Sequence, residues 1–236
     1  MFSYGASWCD EKGAYKSIQT PEMKAAMTWA TDIYKEKIVP PDCLSWSGSA
    51  NNEAFIARKI ATTHNGPSIT FALENQVANA KDAKEKAEKE RLLENAVALH
   101  SPAGPAAQRS WAVAMSFGVF KSTKHPDKAM ELIRHLVSPE QTLKVMQQSY
   151  GQFAPVLSKG REAAKDYFNK NDNYRRFGEA AKYFVPTGWP GQPTPAAAEV
   201  VASNVLTDMA AKVIVDGWTV DQTLEWGDQK IKEIYE

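Results

Sequence analysis

Apolar residues return every three or four positions along residues 21–37, where Met23, Ala26, Met27, Ala30, Ile33 and Tyr34 share one helical face. Thr20 offers a capping hydroxyl, Pro21 sits in the first turn, and Pro40-Pro41 lie just beyond, so the spacing predicts a helix that ends near Lys37. Ahead of it, residues 2–8 are aromatic and small, and Asp10-Glu11-Lys12-Gly13 has turn composition, which predicts a strand followed by a tight turn. A polar stretch at 45–51 leads to a short helix around 52–57. The β-branched run Lys59-Ile60-Ala61-Thr62-Thr63-His64 then predicts a strand, stopped by Asn65-Gly66-Pro67 and followed by another helix.

Residues 78–98 are dominated by Ala, Lys and Glu, with Asp82/Lys86 and Glu85/Lys89 paired four apart, the pattern of a solvated helix. Ser101-Pro102-Ala103-Gly104-Pro105 breaks this pattern, and the nearly continuous apolar run 111–120 predicts a buried strand. Pro126-Asp127 opens a helix with Ala129, Leu132, Ile133 and Leu136 on one face, and Ser138-Pro139-Glu140 opens the next, with Leu143, Val145 and Met146 inside. Helices are predicted over 161–169, near 177–183, over 196–216 and over 220–235, while the Pro- and Gly-rich stretch 185–193 reads as irregular. No repeat appears at solenoid periods. The chain reads as α/β, helix-rich, with few strands.

Composition narrows the function classes. Lys plus Arg and Asp plus Glu are equal at 28 each, so no global field favours nucleic acid or an anionic membrane. No apolar run approaches the roughly 20 residues of a membrane-spanning helix. The first residues, Met1-Phe2-Ser3-Tyr4-Gly5, show no basic flank or long apolar stretch of a secretory signal, and read alone they would leave the chain in the cytoplasm. Cys9 and Cys43 match no zinc or CxxC spacing and are either buried thiols or one disulfide.

The same inventory argues against chemistry. His64, His100, His125 and His135 are scattered with no partner at ligand spacing, so no metal site is expected. Neither GxGxxG nor GxxxxGK[ST] occurs, and no cofactor is implied. A glycoside hydrolase would need two carboxylates about 5 to 9 Å apart beside the sugar, which spacing alone cannot supply.

Aromatic residues in loops are the unusual feature: Trp46 between Ser45 and Ser47, Trp111 after the Pro/Gly break, Tyr150 and Phe153 around Gly151-Gln152, and Trp189 between Gly188 and Pro190. Aromatic faces cover the CH surface of a sugar ring while nearby amides and hydroxyls satisfy its OH groups, so the pattern suits a carbohydrate site. Each one equally suits a residue that pins its loop to a core.

The order of segments resembles the sugar-type extracellular solute-binding proteins of ABC importers, the maltose-binding-protein-like family. The resemblance is carried by Thr20-Pro21-Glu22 before the helix ending Ile38-Val39-Pro40-Pro41, then Trp46, Asn51-Asn52, Ala54-Phe55 and Ala61-Thr62-Thr63-His64-Asn65-Gly66-Pro67-Ser68. It continues through Phe117-Gly118-Val119-Phe120, the helix entry Ser122-Thr123-Lys124-His125-Pro126-Asp127, Ser138-Pro139-Glu140-Gln141 and Trp189-Pro190-Gly191.

The resemblance implies a periplasmic-binding-protein-like two-lobe fold, truncated at the N-terminus because relatives carry a whole lobe ahead of the position matching Phe2. On that alignment, residues 1–108 belong to the second lobe, 109–158 to the first, and 159–236 to helices returning to the second. It implies a non-enzymatic, periplasmic carrier that binds a sugar or polyol and delivers it to ABC permease subunits. Asn65, Ser68, Gln152, Phe153, Trp189 and Gly191 are then the ligand-binding residues, with Trp46 and Trp111 as weaker carry-overs. Ser68 stands where maltose-binding members have an aromatic, so the solute does not transfer. Strands without their parallel neighbours would leave an unpaired edge, which implies a homo-oligomer or a partner supplying the missing lobe. The rival reading is an assembly protein that kept the lobe and lost transport.

Overall fold

The structure is a computed structural model that describes residues 1–149 and 153–236. In chain order its elements are helix α1 (Pro21–Lys35), α2 (Ala50–Ile56), α3 (Ser68–Ala78), α4 (Ala83–Asn95), strand β1 (Ser110–Trp111), and helices α5 (Pro126–Leu136), α6 (Pro139–Gln148), α7 (Ser158–Ala163), α8 (Lys165–Phe168) and α9 (Asp172–Glu179). Strand β2 (Phe184–Val185), α10 (Pro195–Ala202), α11 (Val205–Ile214) and α12 (Val220–Tyr235) complete the chain. Two compact units emerge, one built from Met1–Trp46, Ser101–Val113 and Tyr183–Glu236, the other from Ser47–His100 and Ala114–Lys182.

In the first unit α1 starts where the sequence places it, because the Thr20 hydroxyl accepts the Met23 N–H and Pro21 needs no donor there. The helix buries Met23, Ala26, Met27 and Thr31 against a core that also holds Phe2, Trp8, Ile18, Val200, Met209, Leu224 and Ile231. Helix α12 is opened by a reciprocal capping box between Thr219 and Gln222. Helices α11 and α12 approach closely at Gly227, where a Cβ would come 2.8 Å from Met209 Cγ; only glycine leaves room for that side chain. At the centre of the unit the buried carboxylate of Asp228 accepts from Ile18 N–H and Gln19 Nε2 at 2.8 Å, Tyr15 Oη at 2.8 Å and Ser17 Oγ at 2.9 Å. Burial pushes the Asp228 carboxyl upward, but these donors together outweigh it and hold it below the usual carboxylate range.

The second unit has a smaller core, Ile69, Leu73 and Ala96, with Phe55, Ile56, Leu92 and Leu93 around it. Helix α4 begins with Asp82 accepting from the N–H groups of Lys84 and Glu85, and α6 with Ser138 accepting from Gln141. Tyr174, which is buried, donates to Glu74 at 2.6 Å, and Asn173 bridges Ala96 O and Ala98 N–H at 2.8 Å each, so α9 is tied to α3 and to the end of α4. Burial first, then the Glu74 carboxylate, raises the Tyr174 hydroxyl above the ordinary phenol range.

Four expectations fail locally. Residues 2–8 form a short 3-10 turn at Phe2–Tyr4 and an isolated bridge between Cys9 and Tyr15, rather than a strand. Residues 59–64 form no strand, and Ala61 and Thr62 are exposed, because the segment has no neighbour to receive its backbone bonds. The run 111–120 pairs only through Ser110↔Phe184 and Trp111↔Val185, in parallel; beyond it Val113, Met115, Phe117 and Phe120 are 58 to 84% exposed instead of buried. The helix predicted over 196–216 is two helices, separated at Asn204, whose left-handed backbone (φ 59°) ends α10 and starts α11. Cys9 and Cys43 are both free thiols.

Candidate functional site

The clearest site-like surface belongs to the first unit, where the loop 101–109 reaches β1 beside the 186–191 loop. Ser3 O accepts the N–H groups of Ala106 and Ala107 at 3.0 and 3.3 Å, and Ser3 Oγ donates to Arg109 O at 3.2 Å, so the loop's path is laced to the start of the chain. The 186–191 loop is pinned just as firmly: Ser7 Oγ donates to Trp189 O at 2.5 Å, Cys9 Sγ to Gly188 O at 2.9 Å, and the Trp189–Pro190 peptide is cis.

These two loops stack their side chains. The Arg109 guanidinium lies 4.1 Å above the Trp189 ring, within cation–π range, and its Nη1 donates to Phe2 O at 3.1 Å. Phe2 meets the same indole edge-on, with centroids 5.7 Å apart at 75°. Trp111 is half exposed and donates its indole N–H to Thr187 Oγ1 at 3.0 Å, which fixes the ring while leaving apolar surface open. Two anchored indoles and one guanidinium are thus held by the same pair of loops, groups suited to stacking and to hydrogen bonding.

The remaining residues picked from the sequence distribute as follows. Gly191 is buried, and a Cβ there would stand 2.6 Å from Asp10 O and 2.7 Å from Gly13 N; its lack of a side chain serves the packing of two backbone segments. Trp46 is half-buried at the end of the 3-10 turn Pro41–Ser45, with its N–H on Cys43 O at 3.3 Å.

In the second unit Asn65 Nδ2 donates to Asn52 Oδ1 at 2.6 Å and to Ser68 Oγ at 3.1 Å. Asn52 Nδ2 also donates to Ser68 Oγ at 3.0 Å, and Asn51 Nδ2 reaches Thr63 Oγ1 at 3.3 Å. Asn65 and Ser68 therefore meet in one amide–hydroxyl cluster at the start of α3. Phe153 is 45% exposed, with its N–H on Ser149 Oγ at 3.3 Å. Gln152 lies outside the described residues.

Sequence reading missed Arg109 and the Trp218/Trp226 pair. The latter brackets Lys212, whose ammonium lies 4.4 and 4.6 Å from the two rings, so that aromatic pair is filled from within the chain. Arg109 had one signal available, a charge placed two residues before a loop tryptophan, Trp111. The Cys9 thiol is fully buried on a backbone carbonyl, and no group of three or more His, Cys, Asp or Glu among the described residues is placed to hold a metal. No helix among them is long and apolar enough to cross a membrane.

Comparison with known proteins gives one sequence family and one fold. The sequence model of the bacterial extracellular solute-binding proteins matches residues 2–175. The crystal structure of a protein from Synechococcus sp. MITs9220, assigned as an oligosaccharide periplasmic-binding protein, superposes over 99% of this chain with a TM-score of 0.69 at 14% sequence identity. This chain spans 56% of that one, and the likeness establishes a helix-rich periplasmic-binding-protein-like fold. No curated protein sequence matches the chain.

Proposed function

Because the chain belongs to the bacterial extracellular solute-binding protein family, a family of binding proteins and not of enzymes, we propose that it binds a carbohydrate or related polyol for an ABC import system. The observation that carries this reading is the surface of the first unit, where the half-exposed Trp111 is held by Thr187 on the loop that also carries the Arg109–Trp189 stack. A sugar needs flat apolar surface for its CH face and fixed polar groups for its hydroxyls. Within the first unit Trp111 and Trp189 are the stacking candidates, with Trp46 as a weaker aromatic; within the second, taken by itself, Phe153 is the aromatic candidate and Asn65, Ser68 and Gln152 the polar ones. Gly191 supports the Trp189 loop from beneath. The oligosaccharide assignment of the Synechococcus protein supports the same class of ligand. The partners on this reading are the membrane subunits of an ABC permease, and the setting is the periplasm.

A thermal-shift screen of the chain against mono- and oligosaccharides, polyols and glycerol phosphates tests the reading, since a ligand that prefers the folded state raises the melting temperature. A rise specific to one class of saccharide is the expected result; a flat response to all of them would remove sugar binding as the activity.

One observation favours a second reading. The run 111–120 leaves Val113, Met115, Phe117 and Phe120 exposed beyond the two-residue pairing of β1. Apolar chain with unpaired backbone groups is a template for another chain, so this segment supports self-association, or assembly with a partner that supplies further strands.

A further inference from the structure

The surface around Arg109 points to the kind of saccharide. The guanidinium is a planar cation that carries five N–H donors in a rigid fork. One nitrogen, Nη1, is held by Phe2 O, and the plane is fixed by its stack on Trp189. Among the described residues no carboxylate forms an ion pair with it, although it is partly buried. A cation drawn partly out of water, oriented by two contacts and given no counter-charge, is prepared for an anion from outside. Its place is also informative. Arg109 and Trp111 are two residues apart, and their partners on the neighbouring loop, Trp189 and Thr187, are two residues apart as well, so the cation and the half-exposed indole are anchored on the same short loop. Trp111 is itself fixed through its N–H on Thr187, and Ser110 Oγ donates to Ser101 Oγ at 2.9 Å alongside. An aromatic platform next to a planar, preoriented cation matches a sugar ring bearing a carboxylate.

We infer that the solute is an acidic saccharide, a hexuronate or hexuronate-containing oligosaccharide whose carboxylate is taken by Arg109 while the ring lies on Trp111. This inference rests on the saccharide-binding reading above and narrows it. Stacking supplies the affinity common to all sugars, and the charge-assisted pair supplies the discrimination, because a neutral sugar gives the fork only hydroxyls.

The test compares digalacturonate with its methyl ester, which has the same ring and no charge, by calorimetry on the full 236-residue chain. Wild type is expected to bind the acid at least about tenfold more tightly than the ester, as a charged hydrogen-bonded pair allows. Arg109→Gln should bring the acid-to-ester ratio close to one, and Arg109→Lys should restore part of it. Equal affinities in wild type, or a ratio unchanged in Arg109→Gln, overturn the inference while leaving saccharide binding intact. If cellobiose, maltotriose, the acid and the ester all fail to bind, the saccharide reading falls and this inference with it. The wild-type ratio needs no variant, so the test stands even if Arg109→Gln does not fold.

Discussion

The carboxylate of Asp228 on α12 accepts the backbone N–H of Ile18 at 2.8 Å, joining the last helix to the segment that leads into the first. With Tyr15, Ser17 and Gln19 also donating, one side chain satisfies three consecutive positions and a tyrosine hydroxyl. Asp228→Ala should strand these donors and cost about 3 kcal/mol, measured by urea unfolding.

The same carboxyl sets a pH dependence. Its folded value lies below its unfolded one, so its contribution is complete above the unfolded value near 3.9 and is lost as pH falls below that toward the folded value. In Asp228→Asn, stability is expected to fall less steeply below about pH 4 than in wild type; parallel slopes in the two proteins would contradict the assignment.

Gly191 is predicted to matter through packing. A methyl there meets Asp10 O and Gly13 N, backbone atoms that cannot swing aside, so Gly191→Ala should destabilise the first unit by about 1 to 3 kcal/mol. Denaturant unfolding without any ligand present reads this directly.

Trp111 should behave in the opposite way. It is half exposed, so Trp111→Ala is expected to cost about 1 kcal/mol or less in stability yet weaken saccharide binding about tenfold, by calorimetry. A variant that binds as tightly as wild type would remove Trp111 from the site.

Thiol labelling should separate the two cysteines. Cys9 is fully buried, and Cys43 is partly exposed with its thiol raised by burial and then by the Asp42 charge. One thiol should react in the native protein, slowly near neutral pH and faster as pH rises, and two after denaturation. No labelling in denaturant without reductant would indicate a disulfide instead.

Self-association has its own readout. Light scattering at micromolar concentration should give a mass above that of one chain, and Phe117→Lys with Met115→Lys should lower it, because a charge blocks edge pairing. A sharp monomer peak for wild type would count against this reading.

Much of the architecture is local and therefore readable in the chain. Thr20 and Ser138 cap helices where the sequence places the starts, and Asp82 and Thr219, not singled out there as caps, cap by the same local rule, since a cap depends on residues two to four apart. The Asp10–Gly13 turn is of the same kind, with Asp10 Oδ1 accepting from Lys12 and Ala14. Strands are different, because a β-branched run becomes one only when another segment lies beside it. Residues 59–64 and 113–120 have strand composition without strand neighbours, so no window of sequence could say that they stay irregular. The site divides in the same way. Asn65 and Ser68 lie three residues apart, and their hydrogen bond follows from a short turn. The stack of Arg109 on Trp189 joins loops that are far apart along the chain, through anchors on Ser3, Phe2 and Ser7. Amino-acid order supplied the aromatics and the charge; folding chose which ring lies under which cation, because that contact exists only once the core of the first unit has closed around Phe2 and Trp8.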